Sequence, residues 1–163
     1  MKRVAKDIMQ ARVIPVVSTM SLRDVATLFA QEGISGAPVL DELGHLVGVI
    51  SQTDLVAYEL AEEQELTPEP SFYRRPFNHA LAAHRGFSVE ELRPDAVQDV
   101  MTSILITVEE DTPIPEVAAR MVQSGVHRLI VVDADQELQG IITSLDVLRW
   151  VAEEVQFQAE LTR

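Results

Sequence analysis

Apolar residues run along this chain in two alternating rhythms, and each rhythm occurs twice. Short β-prone stretches come first, Val13-Ile14-Pro15-Val16-Val17 and later Ile104-Leu105-Ile106-Thr107-Val108. Each is followed by apolar residues at i, i+3, i+4 and i+7, namely Leu22, Val25, Ala26 and Phe29, then Ile114, Val117, Ala118 and Met121. That spacing predicts a helix with one face in the core. Ser21 with Asp24 three residues on predicts a helix cap, and Thr112 before Pro113 predicts a cap with proline at the first helical position. Gly33 and Gly125 stand where a left-handed residue ends a helix. Two further strands follow, Ala37-Pro38-Val39-Leu40 and Leu46-Val47-Gly48-Val49-Ile50, joined by the turn Asp41-Glu42-Leu43-Gly44. The second set is Leu129-Ile130-Val131-Val132 and Leu138-Gln139-Gly140-Ile141-Ile142, joined by Asp133-Ala134-Asp135-Gln136. Ser51-Gln52-Thr53-Asp54 and Thr143-Ser144-Leu145-Asp146 then open another helix. The predicted order is β-α-β-β-α, twice.

The two sets are copies. At an offset of 92 residues, the segment from Asp7 to Val56 meets the segment from Asp99 to Leu148 without a gap. Fourteen of those 50 positions are identical, among them Asp7/Asp99, Met9/Met101, Gly33/Gly125, Asp41/Asp133, Gly48/Gly140 and Asp54/Asp146. Chance would match about three, given ordinary residue usage. The duplication divides the chain into a first domain over 1–59, an insert over 60–97 and a second domain over 98–163. Neither copy is long enough to cover its sheet alone, so two copies are expected to share one core with pseudo-twofold symmetry. The insert gathers Phe72, Tyr73 and Phe77 with Arg74, Arg75 and Arg85. It reads either as a packed linker, with a short helix over 77–84 and a capping box at Ser88 and Glu91, or as a ligand-contacting or dimer-contacting element.

Composition narrows the function classes. The 163 residues carry 26 acidic and 13 basic side chains, a formal charge of −13. A protein this acidic is a poor general partner for nucleic acid or for an anionic membrane surface. A small anionic ligand in one local basic pocket is still allowed. Cysteine is absent, which excludes disulfides and thiolate chemistry. The basic start is interrupted by Asp7 and Arg12 and does not read as a secretory signal, and apolar runs are too short to cross a bilayer. A cytoplasmic protein is expected. No phosphate-binding loop, dinucleotide fingerprint or zinc-protease motif occurs, and His79 and His84 are five apart, off one helical face. Neither catalysis nor a metal site is expected.

The duplicated unit, ending in an apolar residue followed by Ser/Thr-x-x-Asp, resembles the cystathionine β-synthase (CBS) domain. The stretches that carry the resemblance are DIMQ with DVMT, and GISGAPVLDELGHLVGVISQTDL with GVHRLIVVDADQELQGIITSLDV. The resemblance spans nearly the whole chain apart from the insert and C-terminal tail. It implies an α/β fold of tandem CBS domains in one pseudo-twofold module, similar in size to free-standing bacterial pairs, which usually form homodimers. It also implies clefts for an adenosine derivative: AMP, ADP, ATP or S-adenosylmethionine.

Within that resemblance the candidate residues sort by chemistry. Asp54 and Asp146 suit a ribose, because a carboxylate accepts two hydrogen bonds from a diol. Ser51 and Thr143, three residues earlier, either contact the ligand or simply cap the helix; both readings stand. Family contacts carry over to an adenine slot of Met9, Gln10, Ile14 and Pro15 in the first copy, and of Met101, Thr102, Ile106 and Thr107 in the second. Ile34, Ser35 and Gly36, and in the second copy Val126, His127 and Arg128, would approach sugar and phosphate. By family analogy each cleft mixes the two repeats: Ile34, Ser35 and Gly36 go with Thr143 and Asp146, while Thr102, Ile106, Val126, His127 and Arg128 go with Ser51 and Asp54. The stretch VHRLIVVD resembles a phosphate-contacting strand start in the nucleotide-sensing γ subunit of AMP-activated kinase, which makes Arg128 the expected phosphate grip and His127 a second donor.

The expected function is regulatory sensing of an adenine nucleotide, transmitted to an effector protein through conformational change. No cofactor is obligatory, and Mg²⁺ enters only together with ATP. The alternatives are a protein-interaction module with vestigial sites and an S-adenosylmethionine-binding regulator. The C-terminal stretch Val147 to Phe157, with Leu148, Trp150 and Val151, is expected to extend the last helix and to pack in a dimer.

Overall fold

The computed structural model describes residues 3–60 and 95–161, and both repeats form β-α-β-β-α units in it. The first comprises β1 (Val16–Val17), α2 (Leu22–Glu32), β2 (Gly36–Leu40), β3 (Leu46–Ser51) and α3 (Gln52–Leu60). The second comprises β4 (Thr107–Glu109), α4 (Ile114–Ser124), β5 (Arg128–Val132), β6 (Leu138–Thr143) and α5 (Ser144–Leu161). A short helix α1 (Ala5–Ile8) precedes them, and a 3-10 turn (Val97–Asp99) follows the insert. The insert's expected helix and capping box, its aromatic and arginine side chains, and His79 and His84 lie outside the described residues.

The local signals explain the element ends. Ser21 Oγ accepts the Asp24 N–H at 3.1 Å and donates to Asp24 Oδ2 at 2.7 Å, which closes the start of α2. Helices α2 and α4 end on Gly33 and Gly125 at φ 65° and 64°. The start of α4 differs from expectation by one residue. Pro113 is the cap, with extended ψ of 138°, and Pro115 is the proline inside the helix. A proline's fixed φ suits both positions, so residue type alone does not separate them.

The chain forms two compact units that are cut differently from the repeats: residues 14–105, and residues 1–13 with 106–163. In the first unit β1 pairs parallel with β2 (Val16 with Val39), and β2 antiparallel with β3 (Gly36 with Ser51). Val16, Leu22, Val25, Ala26, Phe29, Val39, Ile50, Leu55 and Val97 form its core. In the second unit β4 pairs parallel with β5, and β5 antiparallel with β6 (Arg128 with Thr143). Ile114, Val117, Leu129, Ile130, Val131 and Ile142 are buried there. In both units the β2–β3 or β5–β6 hairpin turns on an aspartate. Asp41 Oδ1 accepts the N–H groups of Leu43 and His45, as Asp133 Oδ1 accepts those of Asp135 and Glu137.

Each sheet gains a bridge from the leading segment of the other repeat. Val49 on β3 exchanges two hydrogen bonds of 2.9 Å with Thr102, and Ile141 on β6 exchanges bonds of 2.9 and 3.1 Å with Gln10. The approach is close. A Cβ on Gly48 would lie 3.0 Å from Thr102 O and 2.8 Å from Met101 Sδ, and one on Gly140 would lie 3.0 Å from Gln10 O and 2.7 Å from Met9 Sδ. The repeat identities Met9/Met101 and Gly48/Gly140 are therefore two halves of one contact, made once in each unit.

Candidate functional site

In the first unit, β3 delivers Ser51 to the mouth of α3, and one helical turn brings Asp54 back to it. Asp54 Oδ2 accepts the Ser51 N–H and hydroxyl, both at 2.7 Å, while the Asp54 N–H donates back to Ser51 Oγ at 3.3 Å. Ser35 and Ile34 lie alongside, their carbonyls accepting the Gln52 backbone N–H at 3.0 Å and side-chain amide at 3.1 Å. Gly36 is in register with Ser51, and Thr102 bridges Val49 two residues before Ser51. Ile14 and Pro15 precede β1, half-buried and exposed respectively.

The second unit repeats the device. Asp146 Oδ2 accepts the Thr143 N–H at 2.8 Å and hydroxyl at 2.6 Å, and the Asp146 N–H reaches Thr143 Oγ1 at 3.4 Å. The Ser144 N–H donates to His127 O at 2.9 Å, so His127 and Arg128 lie beside the motif on β5. Val126 is buried after Gly125, and Ile106 precedes β4 with its carbonyl accepting the Ile130 N–H. Arg128 is half-buried, and desolvation pulls its guanidinium pKa down from the ordinary value. Gln10 arrives from the leading segment, its amide 3.4 and 3.3 Å from the two Asp146 oxygens.

The capping reading of Ser/Thr-x-x-Asp is thus realised in both units, and it occupies Oδ2. Burial sets these boxes apart. Asp54 and Asp146 are 5 % and 3 % exposed, the only buried carboxylates among the described residues, whereas Asp24 in the same kind of box is exposed. A carboxylate is withdrawn from water only at a cost, so a cap alone is better served at the surface.

The structure thus groups Ile34, Ser35, Gly36, Ser51, Asp54 and Thr102 in the first unit, and Gln10, Ile106, Val126, His127, Arg128, Thr143 and Asp146 in the second. Sequence reasoning missed Arg149, whose Nη1 is 3.2 Å from Asp146 Oδ1. Its i,i+3 spacing from Asp146 was the available signal. Among the described residues, no group of three or more His, Asp or Glu side chains is placed to hold a metal ion, and no helix is long and apolar enough to cross a membrane.

Comparison with known proteins gives a match to the CBS domain over residues 5–61 and again over 97–153. An uncharacterized Methanocaldococcus jannaschii protein, MJ1426, is 36% identical over 154 residues, 88% of either chain. The crystal structure of CBSX2 in complex with AMP superimposes with a TM-score of 0.67 at 28% identity, covering 94% of this chain and 98% of that one; CBSX2 is an Arabidopsis thaliana protein. The CBS domain pair of MJ0100, in complex with 5′-methylthioadenosine and S-adenosyl-L-methionine, gives a TM-score of 0.64 at 26% identity, with 91% and 99% coverage.

Proposed function

The chain belongs to the CBS-domain family, and on that premise we propose that it is a regulatory module whose buried Asp54 and Asp146 receive the ribose of an adenosine-containing ligand. The observation that carries this reading is their burial at equivalent positions of both repeats, each with Oδ2 held by its own cap. Ser51 and Thr143 act as positioning residues for these carboxylates. Gln10, Ile14, Pro15, Thr102 and Ile106 are proposed to contact the adenine, and Ile34, Ser35, Gly36 and Val126 the sugar. Arg128, with His127, is the proposed phosphate grip, and the AMP bound by CBSX2 supports a nucleotide ligand. Ser35 and Gly36 stand at the equivalent positions of the first repeat without a cation. That asymmetry favours, as a second reading, an adenosine derivative lacking phosphate, such as the ligands of the MJ0100 pair.

Binding rather than turnover is the proposed role, passed to an effector protein by shifting conformational populations. A homodimer belongs to the same proposal. Leu145, Leu148, Val151 and Val155 form an exposed apolar stripe on α5, a surface suited to a second copy. The bacterial type is likewise proposed, and rests on the sequence resemblance alone. A cytoplasmic setting goes with the proposal.

Calorimetry and thermal shift against AMP, ADP, ATP (with and without Mg²⁺) and S-adenosylmethionine test it. A ligand selective for the folded chain releases heat and raises the melting temperature. Asp54→Asn and Asp146→Asn, which keep a capping side chain, should each weaken that binding. Neither heat nor shift with any of these ligands refutes the proposal.

A further inference from the structure

We propose that Arg149 competes with the ligand's ribose for Asp146, so that this unit carries a built-in brake on binding. The inference rests on the reading of Asp146 as the ribose acceptor. A carboxylate offers about four lone-pair sites. At Asp146 the Thr143 N–H and hydroxyl occupy Oδ2, Arg149 Nη1 lies 3.2 Å from Oδ1, and the Gln10 amide reaches both oxygens. A diol that donates two hydrogen bonds must therefore displace existing donors.

The geometry identifies which ones yield. Thr143 is tied to the carboxylate through its own backbone at the start of the helix. Arg149 reaches in from the surface: its side chain is 62% exposed while that of Asp146 is 2% exposed. A guanidinium on a long stem swings into water at little cost. The Gln10 bonds, at 3.3 and 3.4 Å, are long for an amide donor and add less resistance. Ala57 of the first repeat stands at the position equivalent to Arg149, and Thr102 of the second repeat at that of Gln10. The Arg149 contact thus adds to the free energy a ligand must supply to clear Asp146.

The test uses the full chain carrying Asp54→Asn, titrated calorimetrically with adenosine, a probe with the diol and no phosphate to attract Arg149. Adding Arg149→Ala should tighten binding about two- to fivefold, the range carried by an ion pair with one exposed partner. Arg149→Gln, which keeps a long helix-forming side chain without the charge, should do the same. The gain should vanish with 2′,3′-dideoxyadenosine, which lacks the diol. Raising salt should tighten adenosine binding when Arg149 is present and leave it unchanged when Arg149 is removed, because salt screens the competing pair. Adenosine affinity that is unchanged or weaker in both Arg149 variants overturns this inference while leaving the ribose reading in place. No adenosine heat from any variant, or heat that Asp146→Asn does not remove, overturns the ribose reading itself.

Discussion

Gly140→Ala tests the contact that joins the leading segment to the β6 edge. The added Cβ would stand 2.7 Å from Met9 Sδ and 3.0 Å from Gln10 O. The methionine end can swing away. The carbonyl cannot, because it accepts the Ile141 N–H at 3.1 Å while the Gln10 N–H donates to Ile141 O at 2.9 Å. The substitution must lengthen this bridge or tilt the strand. Forcing a methyl into a filled space costs about 1–3 kcal/mol. For a chain of this size that lowers the melting temperature by roughly 2–12 °C. Thermal denaturation followed by circular dichroism measures the drop, and the double variant Met9→Ala/Gly140→Ala partitions it. Removing the sulfur relieves one of the two clashes, so the pair should be less unstable than the sum of the single changes by at least about 0.5 kcal/mol. An unchanged melting temperature for Gly140→Ala would refute the close approach. Strict additivity would refute the role given to Met9.

Three further outcomes follow from the same geometry. Arg128→Ala should weaken AMP binding about ten- to a hundredfold, as loss of a charge-assisted hydrogen bond does, and leave adenosine binding unchanged; equal loss for both ligands would remove Arg128 from the phosphate. The Asp41 carboxyl is held below its ordinary value of 3.8, chiefly by the His45 backbone N–H, so its contribution is present above that value and is lost as pH falls through the lower folded value. The amide resonances of Leu43 and His45 should therefore titrate together below pH 3.8, and a midpoint at or above it would contradict the turn geometry. Leu148→Glu with Val155→Glu, both at positions 62% exposed on α5, should yield a monomer in sedimentation analysis; a persisting dimer would place the interface elsewhere.

The β-α-β-β-α order, the glycine helix ends and the aspartate turns were legible in the sequence because each depends on groups within a few residues of one another. The Ser21 and Ser51 boxes make the point most sharply. Both show a hydroxyl three residues before an aspartate, and both close as the same hydrogen-bonded cap. Sequence determined that much. Only the tertiary structure decided that Asp24 faces water while Asp54 and Asp146 are withdrawn from it, since burial depends on what the rest of the chain packs over a residue. The partners of Met9, Gln10, Met101 and Thr102 were likewise beyond local reading. The repeat marked those residues as equivalent, but an edge bridge offers no periodicity to betray its partner. The 130 residues of chain between Gln10 and Ile141 carry no local signal of their pairing. Arg149 belongs to the same class: its spacing allowed the contact with Asp146, and the burial of that carboxylate gave the contact its consequence.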